Sequence, residues 1–97
     1  MDKQEFKEKA KKGIDDIFIK IDELEAKKDI VKNEAKEKYH KQIEEMKEKK
    51  NDLREKYDHL MLSADEKWED TKIAFSKAFD SFKKGLMEIG DLFKEQK

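Results

Sequence analysis

Residues 63–93, SADEKWEDTKIAFSKAFDSFKKGLMEIGDLF, decide how this chain folds. Trp68, Phe75, Phe79, Phe82, Leu86, Ile89 and Phe93 recur in it at steps of 7, 4, 3, 4, 3 and 4, and Lys72 fills the one gap. Alternating steps of three and four set all of them on one face of a helix, as the a and d positions of a heptad. Four of the six Phe and the only Trp lie on this face. A solvated helix has no use for such a stripe, so another apolar surface must cover it.

Ser63 stands three residues before Glu66, the spacing of a capping box. Asp65, Glu66, Glu69 and Asp70 crowd the first turns and Lys94 and Lys97 the last, in the order that the helix dipole favours. These signals predict a turn at about 62–64 and a helix over about 64–95. The one sign against a reversal is that no Gly closes the preceding helix, which leaves a single uninterrupted helix as another reading.

Upstream, Ile14, Ile17, Ile21 and Leu24 open a second heptad seam, thickened by Phe18 and continued by Lys28, Val31 and Ala35. A further phase runs through Tyr39, Ile43, Met46, Lys50, Leu53, Tyr57 and Leu60. The phases join by successive steps of four at Val31, Ala35, Tyr39 and Ile43, a one-residue skip that locally unwinds a supercoil. No Gly or Pro lies between Gly13 and Gly85, and Asp29, Asn33 and Asn51-Asp52 are only weak breakers. The pattern predicts one long helix over about 3–61.

The expected fold is therefore all-α and a single domain over 1–97: a long helix and a shorter antiparallel one, a helical hairpin. In that hairpin Trp68 meets Tyr57 and Leu60, Phe75 lies near Leu53, Phe82 near Met46 and Ile43, Ile89 near Tyr39, and Phe93 near Ala35. The short helix then covers only about residues 35–60. Ile14, Ile17, Phe18, Ile21, Leu24 and Val31 are left over as an apolar stripe too large for a free surface. They are the expected oligomer interface of an antiparallel homodimer with a four-helix arrangement. The alternative breaks the long helix near Asp29–Asn33 and folds three helices of similar length into a monomeric three-helix bundle.

Composition bounds the rest. Of 97 residues, 51% are charged and 35% hydrophobic, with no Pro, no Cys and three Gly. High charge combined with helical periodicity marks coiled coils and long helices, whereas aperiodic charge would mark disorder. The net charge of −1, from 24 basic and 25 acidic residues, gives no bulk attraction to nucleic acid. Without Cys there is no disulfide or thiolate chemistry. No apolar run approaches the roughly 20 residues of a membrane span, and Met1–Phe6 lacks an apolar signal core. The expected location is the cytoplasm, with peripheral attachment to a membrane or organelle left open.

No residue stands out for chemistry. Glu37 and His40 have the Glu-x-x-His spacing of di-iron bundles, but such sites need that motif twice, and it occurs once. His59, with Glu55 four residues before it, reads as a surface histidine. Carboxylate pairs such as Asp15-Asp16 and Glu44-Glu45 recur everywhere, and acid–base work needs a desolvated pair in a pocket. Ser63, Ser76 and Ser81 have no His partner at a suggestive spacing. The expectation is no catalytic residue, no metal and no cofactor. The rings of the C-terminal helix, flanked by Lys83 and Lys84, also fit an interfacial helix, although eight acids and seven bases over 64–97 weaken attraction to anionic lipid. The ladders of charge along the helices would suit adsorption to a mineral or polyelectrolyte surface, and such binding would fall with salt.

The segment Lys67-Trp68-Glu69-Asp70-Thr71-Lys72, followed by Phe75, Ala78, Phe79, Asp80, Ser81, Phe82 and Lys83, resembles the C-terminal part of small bacterial coiled-coil proteins, uncharacterised or stress-responsive. The likeness covers about residues 35–93; where those proteins often have Gly at the turn, this chain has Leu62-Ser63-Ala64-Asp65. The resemblance implies a non-enzymatic helper, stress-linked or associated with a cell structure, and brings no catalytic residue. The expected function is that of a coiled-coil structural or interaction protein that self-associates and presents a charged helical surface. The alternative is a peripheral protein that attaches to a membrane, organelle or mineral surface.

Overall fold

The computed structural model describes residues 2–94, with side chains through residue 92. Three helices follow one another: α1 over Lys3–Ala26, α2 over Asn33–Leu62 and α3 over Trp68–Lys94. Short 3-10 turns, Lys28–Ile30 and Asp65–Lys67, precede α2 and α3. The chain runs up, down and up, so α1 and α3 are parallel and α2 is antiparallel to both. The described residues are all-α, and the arrangement is the three-helix bundle.

The sequence pattern predicts one helix over about 3–61; the structure breaks it in two. Lys27 keeps helical angles, Lys28–Ile30 tighten into the 3-10 turn, and Val31 and Lys32 swing to ψ of 141° and 148°. Local sequence contributes little to this break. No side chain caps the start of α2, and the last turn of α1 carries no basic residue. The gain is tertiary. Folding α1 back buries Ile14, Ile17, Ile21, Leu24 and Val31 to 9% exposure or less. At roughly 1.5–3 kcal/mol for each such side chain, that outweighs a few interrupted backbone hydrogen bonds at about 1 kcal/mol net. Two side chains of α2 then tie the joint. The Tyr39 hydroxyl donates to the Leu24 carbonyl at the end of α1. His40 Nε2 donates to the Lys28 carbonyl at 3.2 Å.

The same fact corrects the expected oligomer interface. Ile14, Ile17, Ile21, Leu24 and Val31 belong to the single core of this chain. Phe18 is half-buried beside them, its ring edge-on to Phe82 with centroids 5.8 Å apart. Lys50 Nζ stands 5.0 Å from the Phe18 ring centre and closes it from the α2 side. The stripe needs no second copy, because α1 itself lies in the groove between α2 and α3.

Of the expected hairpin seam, Tyr39, Ile43, Met46, Leu53 and Leu60 of α2 are buried with Phe75, Phe82, Leu86 and Ile89 of α3. Tyr57, Trp68 and Phe79 are half-buried at its margin. The Phe93 side chain lies outside the described ones. Phe6 of α1 covers Trp68 edge-on at 5.7 Å and also reaches Phe75 at 6.3 Å. Helix α1 thus takes a place at Trp68 that the two-helix reading left open.

The second reversal uses Ser63 differently from the capping box that its spacing suggests. Ser63 closes α2, its N–H bonding to the Leu60 carbonyl. Its hydroxyl accepts from Thr71 Oγ1 at 3.0 Å. The 3-10 turn has no side-chain cap, and α3 begins at Trp68. Lys3 Nζ, from α1, reaches across to the Ser63 carbonyl at 3.0 Å and the Asp65 carboxylate at 2.8 Å, and Lys7 Nζ reaches the Met61 carbonyl. The bundle is a short rod of 50 × 19 × 16 Å.

Candidate cleft between helices α1 and α3

The three interfaces of the bundle are not alike. Between α2 and α3, Gly85 lets the backbone settle directly on the Met46 thioether, where a Cβ would collide with the sulfur. Between α1 and α3 contact is made through rings, Phe6 on Trp68 and Phe75, Phe18 on Phe82, and Phe79 at Gly13. The Phe79 ring lies 3.0 Å from where a Cβ of Gly13 would stand. On either side of Gly13 a cleft lies between the helices. Toward the start of α1 a cleft of about 290 Å³ opens over Phe6, Ala10, Phe75 and Phe79, edged by Lys9, Ser76 and Asp80. Toward its end a cleft of about 460 Å³ opens over Ile17, Leu86, Met87 and Gly90, edged by Asp16, Lys20, Lys83 and Asp91. Both floors are apolar. Met87 is 64% exposed at the edge of the second, and a Cβ at Gly90 would meet nothing within 4 Å.

The two walls carry opposite charges. Along α1 the edge reads Lys9, Asp16, Lys20; along the parallel α3 it reads Asp80, Lys83, Asp91. The signs run plus, minus, plus on one wall and minus, plus, minus on the other. Among the described residues no ion pair closes across the cleft within 4.0 Å. Lys20 pairs instead with Glu23 on its own helix, at the 4.0 Å limit. The facing charges therefore remain hydrated and available.

Elsewhere some charged side chains are engaged within the fold. Glu25 of α1 meets Lys47 of α2 at 2.7 Å. This hydrogen bond holds the Glu25 carboxyl below its usual range, against the opposing effect of burial, and raises Lys47. The Lys3 hydrogen bond likewise lowers Asp65. Burial pushes the Tyr39 hydroxyl up, and Tyr57 rises through burial and then the nearby Asp15 and Asp58 charges. His40 serves the α1–α2 joint and stands with no group of metal ligands; among the described residues no cluster of three or more His, Cys, Asp or Glu could hold a metal ion. On the α2/α3 side, Gln42 Oε1 is buried without a hydrogen-bond partner.

The heptad faces hold the buried Tyr39, Ile43, Met46, Leu53, Leu60, Phe75, Phe82, Leu86 and Ile89 but do not reveal the cleft. The cleft exists only because α1 folds back beside α3. One signal was present: Met87, like Ile73 at 49% exposure, is a large apolar side chain off the a and d positions of α3. What the fold defines is a small all-α bundle with one open, apolar-floored and charge-edged side. No family model, curated protein or solved structure matches the chain. Among the described residues no helix is long and apolar enough to cross a membrane.

Proposed function

We propose that this chain is a structural or interaction protein without a catalytic role, which self-associates through the α1/α3 cleft and presents a charged helical shell. One observation carries the reading: the alternating, opposite signs on the two walls of an apolar cleft that none of the described residues covers. A second copy rotated about a two-fold axis parallel to the helices sets α1 of one protomer against α3 of the other. Lys9, Asp16 and Lys20 then face Asp80, Lys83 and Asp91, an isologous contact in which every step is of opposite sign. The other face-to-face two-fold, perpendicular to the helices, sets α1 against α1 and brings Lys9 toward Lys20, like against like. Met87 of each copy lies over the apolar floor of the other.

Sedimentation equilibrium tests this at micromolar to millimolar chain concentrations. The expected result is a rapidly reversible dimer that Met87→Glu abolishes and that weakens as salt screens the edge charges. A wild-type chain of monomer mass throughout overturns the reading. Attachment of α3 to a lipid surface would require the bundle to open, because Phe75 and Phe82 are buried against α1 and α2. A stress-linked role, as the resemblance to bacterial coiled-coil proteins implies, is compatible with a self-associating scaffold.

A further inference from the structure

We infer that α1 exchanges between two copies of this chain, giving a second, domain-swapped dimer built on the long helix that the sequence pattern describes. The proposal stands on the joint at residues 27–32, and it is independent of the cleft contact. From Lys3 to Leu62 only Val31 and Lys32 leave the helical region of backbone space. Neither is Gly or Pro, and no residue of the joint has a positive φ. Turning ψ of these two residues by about half a revolution, to the helical value near −42°, makes α1 and α2 one helix. The heptad seam already crosses the joint through Leu24, Lys28, Val31 and Ala35.

Geometry supplies the occupant. In the closed chain α1 lies antiparallel to α2. When α1 and α2 are collinear, a second copy running antiparallel places its own α2 and α3 beside the first copy's α1, and the exchange is mutual. Away from the joint, the contacts of α1 in the closed bundle are then made to the partner: Phe6 on Trp68, Phe18 on Phe82, Lys3 to Asp65 and Glu25 to Lys47. What is given up is confined to the joint, namely the Tyr39 and His40 bonds to the Leu24 and Lys28 carbonyls. What is gained is the interrupted helical hydrogen bonds. Exchange of an identical element is a low-cost route to a dimer because nearly all contacts are conserved. A bond-by-bond balance this even makes chain concentration during folding the deciding variable.

The ion pair of Lys3 with Asp65, at 2.8 Å, gives a direct readout. Wild-type chains carrying heavy nitrogen are mixed with unlabelled chains, unfolded, and refolded together at micromolar or at millimolar concentration. A zero-length carbodiimide cross-link then joins Lys3 to Asp65, and mass spectrometry shows whether the joined peptides are of one isotope or two. The expected result is single-isotope peptides after dilute refolding and a large share of mixed peptides after concentrated refolding. The concentrated product should also approach 90 Å in small-angle scattering, the length of a continuous helix over residues 3–62 at about 1.5 Å per residue, against 50 Å for the closed bundle. Lys32→Pro keeps the observed φ of −60° and bars Val31 from the helical region; it should abolish the mixed peptides while leaving helicity intact. Mixed peptides absent at millimolar refolding, or undiminished in a folded Lys32→Pro chain, overturn the proposal. Met87→Glu separates it from the cleft dimer: that variant should lose the reversible dimer and retain the mixed peptides.

Discussion

Gly85 and Gly90 lie in the same helix, five residues apart, and the structure gives them opposite meanings. A methyl group at Gly85 collides with the Met46 sulfur, and Met46 is itself buried. Ala improves helix propensity by about 1 kcal/mol, whereas overpacking a tight core costs about 1–3 kcal/mol. Gly85→Ala should therefore destabilise by about 1 kcal/mol, and shortening Met46 in the same chain should restore part of the loss. At Gly90 the space is open, so Gly90→Ala should stabilise by about 0.5–1 kcal/mol. Denaturant titrations of the two variants check both signs. Tyr39 gives a pH signature at the same scale. Burial raises its ionisation in the folded chain, so the folded state holds the phenolic proton where the unfolded state releases it. The stability so contributed is complete below the ordinary tyrosine pKa near 10 and is lost as pH rises through the elevated value. Alkaline unfolding should begin just above that point. Tyr39→Phe should reduce this alkaline loss, leaving the share due to Tyr57, while costing about 1 kcal/mol at neutral pH for the bond to the Leu24 carbonyl.

At the scale of elements, the heptad periodicity of residues 63–93 and 39–60 made the α2–α3 pairing legible, because a/d spacing reports directly which face of a helix is buried. The joint before α2 was not legible in the same way. Lys27, Lys28, Asp29, Ile30, Val31 and Lys32 contain no breaker stronger than Asp29, and α2 starts without a side-chain cap. The decision to fold there belongs to Ile14, Ile17 and Ile21, whose burial depends on a surface more than twenty residues away in sequence. The candidate cleft was illegible for a related reason. Its walls come from α1 and α3, and Met87 and Lys9 share a side only after α1 has turned back. A prediction at this scale follows from the backbone at Lys32. Its φ of −60° and the extended Val31 before it match what Pro imposes and requires, and its N–H is not among the backbone bonds of the joint. Lys32→Pro should raise the stability of the closed bundle by about 0.4–1 kcal/mol by restricting the unfolded chain. The thermal midpoint of the dilute, monomeric chain measures it.

For the whole molecule, the two modes of association act on different surfaces and so combine. A closed bundle docks through its α1/α3 face, and that isologous contact ends at a dimer. A swapped dimer has two composite bundles, each with a cleft formed by α1 of one chain and α3 of the other, set at opposite ends of a rod of about 90 Å. Docking at both clefts joins swapped dimers side by side, and clefts that face different directions extend the assembly beyond a closed pair. The mass distribution of concentrated, refolded protein should thus extend beyond the dimer and shrink again in high salt, as the charged edges of the clefts are screened. Met87→Glu should truncate it at the swapped dimer, long and insensitive to salt. Lys32→Pro should truncate it at the cleft dimer, short and salt-sensitive. The double variant should stay a monomer of 11.6 kDa. Light scattering coupled to size exclusion distinguishes the four cases, and assemblies of equal size in the wild type and either single variant would show that the two surfaces do not act together.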